Sequence, residues 1–82
     1  MDAEARRLQW RCRRGLKELD VLLERYARTA LPQASGEERR TLGRLLERPD
    51  PELAGYLLGG VRPEEPELAA LIERILACRG TP

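Results

Sequence analysis

The segment from Arg6 to Lys17 concentrates the side chains that are best suited to binding another molecule. It holds six basic residues, no acidic residue and the only tryptophan of the chain. At helical spacing, four of its side chains fall on one side of a helix: Arg6, Trp10, Arg13 and Arg14. Leu8 and Cys12 face roughly the other way. Because tryptophan and arginine are enriched at interface hot spots, the pattern indicates a binding surface. The alternative is a tryptophan folded over the bundle edge under arginine stems.

The residue types argue against an enzyme. The chain has no histidine, which is the commonest general base near neutral pH. Its only serine, Ser35, is predicted to cap a helix, and no strand precedes a glycine-rich phosphate loop. The carboxylates stand at helix starts or on polar helix faces, where solvation explains them. No catalytic residue is predicted.

Charge and hydropathy argue against nucleic-acid-binding, membrane-spanning and secreted proteins. A net charge of +1 argues against a protein whose main task is to bind nucleic acid. The longest uncharged run is the nine residues 53–61, whereas a membrane span needs about 20. The N-terminus has acids before bases and no apolar core, so a secretory signal is not expected. These features predict a bacterial cytoplasmic protein without membrane insertion.

The two cysteines, Cys12 and Cys78, are predicted to be inert. In a reducing cytoplasm a buried cysteine behaves as a small apolar side chain. A disulfide would require the two ends of the chain to pack together. A metal site is not expected, because the usual C-x-x-C pairs and histidines are missing.

Apolar periodicity of 3 and 4 residues recurs from end to end and predicts an all-α fold, a small five-helix bundle in one domain over residues 1–82. The third helix should open on a capping box from Ser35 to Glu38, and the fourth on an Asp50 cap followed by proline. Gly15 should end the first helix in the left-handed conformation. The first helix should cover about residues 3–13, and the second the apolar pattern of residues 16–30, which Pro32 closes. The third should follow Ser35, the fourth should begin at Pro51 and end at the glycines 59–60, and the fifth should open at residues 66–67.

Two motifs resemble a known family. Residues 10–20 read W-R-C-R-R-G-L-K-E-L-D and contain R-G-x-x-E, from Arg14 to Glu18. Residues 45–53 read L-L-E-R-P-D-P-E-L. Together they resemble the signatures of the SdhE family of FAD assembly factors, and the resemblance covers nearly the whole chain. The sequence departs from the family around residues 31–36, in its lack of phenylalanine and in its short C-terminal tail.

The resemblance implies a partner rather than a substrate. The family binds the flavoprotein subunit of succinate dehydrogenase, and the implied clients extend to fumarate reductase. It promotes the covalent bond between FAD and a histidine of the client, so no stably bound cofactor is expected on this chain, and a monomer is expected. The residues that would bind the client are Arg14, Gly15, Glu18, Trp10, Arg13, Arg7, Asp20 and Asp50.

The residue types fit that implied role. Gly15 lacks a Cβ atom, so another backbone can come close. Arg14 offers a planar fork of donors, and Glu18 stands one turn beyond it. The purely structural alternative is a Gly15 helix cap with a local Arg14–Glu18 ion pair. The rival functions are an RNA-binding module that uses Trp10, and an antitoxin-type regulatory partner.

Overall fold

Five α-helices joined by short turns make up the computed structural model, which describes residues 2–78. No strand occurs among these residues, and the predicted all-α bundle is confirmed. A single 3-10 turn that the sequence did not predict, Leu31–Gln33, joins the second helix to the third. The helices are α1 Ala3–Arg11, α2 Lys17–Thr29, α3 Gly36–Leu46, α4 Asp50–Leu57 and α5 Pro66–Cys78.

Leucine stripes on each helix form one core around α2. This helix packs against α1, α4 and α5, while α3 covers α1 and α5. Tyr26 lies at the centre and is fully buried, with its hydroxyl reaching the edge of the core. The other large, fully buried side chains are Leu19, Leu23, Leu31, Leu42, Leu45, Leu53, Leu68, Leu71, Ile75 and Cys12. Burial of these stripes, more than helix propensity, holds such short helices together.

The helix starts follow the sequence only in part. Asp2 caps α1 by accepting the Ala5 amide at 2.8 Å, and Ser35 caps α3 by accepting the Glu38 amide at 3.1 Å. The return bond of the predicted capping box is not formed. Instead the Glu38 carboxylate accepts hydrogen bonds from the Tyr26 hydroxyl and, at 3.0 Å, from Arg74. One carboxylate therefore connects α2, α3 and α5.

The start of α4 corrects a second prediction. The N-cap residue is Pro49, which forms no side-chain cap hydrogen bond, and Asp50 is the first helical residue. The Asp50 carboxylate accepts a hydrogen bond from Arg14, 36 positions earlier in the chain. Asp50 therefore pairs with a distant arginine, whereas the local sequence pattern had predicted that it would cap the helix amides.

Both cysteines are free thiols, and Cys12 is completely buried in the core. Within residues 2–78 there is no group of His, Cys, Asp and Glu side chains that could hold a metal ion. None of the helices in that range combines the length and the apolar character needed to cross a membrane.

Burial shifts two titratable groups of the core in the same direction. It raises the pKa of the Cys12 thiol from 9.0 to about 12. Burial and the hydrogen bond to Glu38 raise the pKa of Tyr26 above its usual value. Both groups stay neutral in the folded chain at pH values where they ionise in the unfolded chain. Their contribution to stability is therefore complete below pH 9 and is lost as the pH rises toward the folded-state pKa values.

We expect the free energy of unfolding to fall as the pH is raised from 9 to 11, by at most about 1.4 kcal/mol per pH unit for each group. Cys12→Ala should flatten the part of this decline between pH 9 and pH 10, where unfolded tyrosine is still mostly neutral. Urea unfolding at half-unit pH steps measures the free energy of unfolding of each variant. Cys78→Ala is the control, and it should show the same decline as the unmodified chain. An unchanged slope in Cys12→Ala would contradict the assignment of this part of the decline to the buried Cys12 thiol.

Candidate functional site

The turn between α1 and α2, residues 12–16, is anchored by the side chain of Arg14. Helix α1 ends at Arg11 with Cys12 as its C-cap, so the chain leaves the helical path before Arg14. The guanidinium then points inward, and its side chain is only 19% exposed. All three of its nitrogens donate hydrogen bonds: Nε to Asp50 Oδ1 at 2.8 Å, Nη1 to the Leu46 carbonyl at 2.8 Å and Nη2 to the Arg48 carbonyl at 3.0 Å.

These acceptors explain why an arginine is needed at this position. Leu46 is the last residue of α3, and a carbonyl there has no partner within the helix. A cation at the carboxyl end of a helix is also favoured by the helix dipole. The planar fork can reach this carbonyl, the following turn and the Asp50 carboxylate together, whereas a lysine could not present the same geometry. Arg14 thus connects the α1–α2 turn to the α3–α4 turn.

The backbone of the same turn is fixed by Asp20. Its Oδ1 accepts the backbone N–H of Arg14 at 2.7 Å, and the side chain is half-buried in the first turns of α2. Gly15 follows with φ +82°, a conformation that side chains with a Cβ rarely adopt. The left-handed glycine that the sequence predicted is present, although the C-cap of α1 is Cys12 and not Gly15.

Gly15 and Glu18 are the parts of the motif that face solvent. A Cβ placed on Gly15 would meet no atom within 4 Å, so the space in front of this backbone is open. Glu18 is exposed in the first turn of α2, as the sequence predicted. The local Arg14–Glu18 ion pair is not formed, and within residues 2–78 the Glu18 carboxylate has no ion-pair partner. The exposed carboxylate therefore remains available to a partner.

Trp10 forms a second exposed part of this end of the molecule. Its side chain is 76% exposed, and with Arg6, Gln9, Arg13 and Glu24 it lines a shallow depression. Arg13 donates to Glu24 at 2.9 Å, which holds it beside the indole. The predicted grouping of Arg6, Trp10 and Arg13 is therefore present. Arg14 does not belong to it, because α1 ends too early to carry Arg14 round to that side.

The predicted site residues thus fall into an inner and an outer set. The inner set makes hydrogen bonds within the protein and consists of Arg14, Asp20 and Asp50. The outer set is exposed to solvent and consists of Arg7, Trp10, Arg13, Gly15 and Glu18. The inner residues fix the turn, and the outer residues are what a partner would meet.

Sequence reasoning missed two exposed apolar residues beside Glu18. Val21 and Leu58 are each 46% exposed and, with Lys17, Glu18 and Leu22, line a groove between α2 and the end of α4. Val21 offered a weak signal, because it stands off the apolar stripe of α2 that Leu19 and Leu23 define. Leu58 offered none, since it simply continues the apolar run of α4.

Known proteins resemble this sequence over most of their own length. A curated relative from Methylococcus capsulatus, described as FAD assembly factor SdhE, is 45% identical over 74 residues, which cover 90% of this chain and 89% of the relative. Proteins of the same description from Coxiella burnetii and Legionella pneumophila are 39% and 35% identical; the alignments cover 87% and 92% of this chain, and 87% and 94% of the relatives.

The fold and these relatives define a small all-helical protein of the assembly-factor class. The model of the family described as flavinator of succinate dehydrogenase matches residues 6–79, and the chain belongs to that family. The match spans both motifs, including the turn at Gly15 and the α3–α4 turn that receives Arg14.

The two neighbouring arginines provide a test of the inner set. Arg14→Ala should lower the free energy of unfolding by about 2 to 4 kcal/mol, because it leaves the Asp50 carboxylate and two carbonyls without their charged donor. Arg13→Ala should cost less than about 1 kcal/mol, since its side chain is 70% exposed and its ion pair with Glu24 is solvated. Urea denaturation compares them, and equal losses would contradict the anchoring role of Arg14.

Proposed function

We propose that this chain binds the flavoprotein subunit of succinate dehydrogenase and promotes the covalent attachment of FAD to it. Family membership supports the general role. The observation that carries the proposal is the exposed Gly15–Glu18 turn, which combines an approachable backbone with a carboxylate that has no ion-pair partner within residues 2–78. Carboxylates of this kind pair readily with basic groups of a partner protein.

The proposed mechanism is stabilisation of a reactive client conformation. The FAD and the histidine that it modifies both belong to the client, so this chain needs no stably bound cofactor and supplies no acid or base. Holding two reacting groups in the correct geometry can lower a barrier by about 7 to 11 kcal/mol. A factor that binds the reactive conformer more tightly than the other conformers raises the population of the reactive one. The size of this shift is set by the difference between the two affinities.

Each set of site residues has its own part in this proposal. Gly15 lets the client backbone approach, and Glu18 pairs with a basic or hydrogen-bonding group on the client. Arg14, with Asp20 and Asp50, acts as a positioning residue that keeps the turn in shape. Further outer contacts come from three side chains of the first helix and the turn: Arg7, Trp10 and Arg13.

The same surface would serve the flavoprotein subunit of fumarate reductase, and one copy of the chain would act on each client. Both statements rest on the family resemblance. Nothing in the proposed mechanism requires a second copy, because the inner and outer sets both belong to a single chain.

Glu18→Ala tests the proposed function. The variant should fold normally, since losing a first-turn carboxylate costs a helix less than about 1 kcal/mol. It should nevertheless slow covalent flavinylation at least about tenfold, because a client charge would be left without its partner. The readout is in-gel flavin fluorescence of the denatured flavoprotein subunit at limiting concentrations of the factor.

Glu37→Ala is the matched control. Glu37 is also exposed and is also the second residue of its helix, α3. It should retain full activity. Normal flavinylation by a well-folded Glu18→Ala variant would remove Glu18 from the client interface and leave the proposed docking surface without its main contact.

A further inference from the structure

An apolar groove lies directly beside Glu18, and the proposed function so far gives it no role. It runs between α2 and the carboxyl end of α4 and has a volume of ≈ 430 Å³. Its apolar lining consists of Leu22, which is buried, and of Val21 and Leu58, each with 46% of its surface exposed. Lys17 and Glu18 stand at its rim. The groove is therefore apolar inside and charged at one edge.

The presence of both Val21 and Leu58 distinguishes this groove from a place where a single apolar residue is exposed. Single exposed apolar residues are common and require no explanation. Here two exposed apolar residues that are 37 positions apart in the chain line the same depression. Small apolar pockets with a polar rim are the features into which an anchoring side chain of a partner inserts.

We propose that this groove receives an apolar side chain from a segment of the flavoprotein client, and that a basic residue next to it in that segment pairs with Glu18. The inference deepens the proposed function and rests on it. Glu18 belongs both to the motif surface and to the groove rim, so a client strand or helix that reaches Glu18 also passes over the groove. The apolar contact would add affinity, and the charge would fix the register.

A second copy of this chain is a poorer occupant than the client. Stable interfaces bury about 800 Å² per partner and involve about 20 to 30 residues a side, whereas five residues line this groove. Two of the five lining residues, Lys17 and Glu18, are charged. Interfaces between identical subunits are more apolar than that. The groove thus fits one anchor within a larger interface with a different protein.

The experiment measures the affinity of the purified flavoprotein subunit for a Val21→Thr/Leu58→Asn double variant. These substitutions keep the shape of each side chain but make it polar, and both positions are half-exposed, so the fold should survive. Binding should weaken at least about tenfold, as expected when an anchoring apolar contact is lost. Circular dichroism and thermal unfolding check the fold, and Val21→Ser/Leu58→Ser is the second variant should the first prove unstable.

Val61→Thr is the matched control, because Val61 is 54% exposed but does not line the groove. It should bind the client as the unmodified chain does. If Glu18→Ala weakens binding and the groove variants do not, the groove proposal is overturned while the proposed function stands. If neither Glu18→Ala nor the groove variants weaken binding, the proposed docking surface itself is wrong.

The chemistry of the occupant is tested with a photo-crosslinking amino acid at position 58. Crosslinking in the presence of the client should capture a client segment that has Lys or Arg within about one helical turn of the crosslinked position. A captured segment with no basic residue nearby would overturn the assignment of Glu18 to that contact. Crosslinks between two copies of this chain in the presence of the client would replace the proposal with self-association.

Discussion

The guanidinium of Arg14 joins two turns that lie far apart in the sequence, and the shape of the exposed site depends on that junction. Its three hydrogen bonds connect the turn after α1 to the last carbonyl of α3, to a carbonyl of the α3–α4 turn and to the start of α4. Without them the turn that presents Gly15 would lose its connection to α3 and α4 and would keep only local contacts, among them the Asp20 carboxylate on the Arg14 N–H and the Arg13–Glu24 ion pair. A charge-assisted, planar donor suits this place because the acceptors are a carboxylate and two carbonyls that the helices leave unpaired.

This junction explains why one short motif contains residues of opposite character. Arg14 is half-buried and donates from all three of its side-chain nitrogens within the protein, whereas Gly15 and Glu18 are exposed and open to a partner. The inner residue supplies rigidity, which lowers the entropic cost of binding, and the outer residues supply contact. The two family motifs are then parts of one structural unit, because all three acceptors of Arg14 lie within the second motif. The groove beside Glu18 extends the same surface with apolar character.

Helix positions were predictable from the sequence because they depend on local patterns. The apolar stripes, the Ser35 cap and the prolines at helix starts indicated all five helices and placed the start of each within about one residue of its observed position. Two of the failures involve carboxylates with two possible sets of partners. Asp50 and Glu38 were assigned to nearby amides but bond instead to Arg14, and to Tyr26 and Arg74. Local spacing cannot reveal these partners, which only tertiary packing brings together. Arg14 was placed beside Trp10 for a different reason, because the sequence pattern did not show that α1 ends at Arg11.

The central claim is that Arg14 acts from inside the protein and that Glu18 makes the contact with the client. A structure of the complex with the flavoprotein subunit tests it most directly, through the distance from Arg14 Nε to Asp50 Oδ1. The account predicts that this distance stays near the 2.8 Å of the free protein, and that the Glu18 carboxylate lies within hydrogen-bonding reach of a client group. An Arg14 guanidinium that has left Asp50, Leu46 and Arg48 to bind a client carboxylate would contradict it.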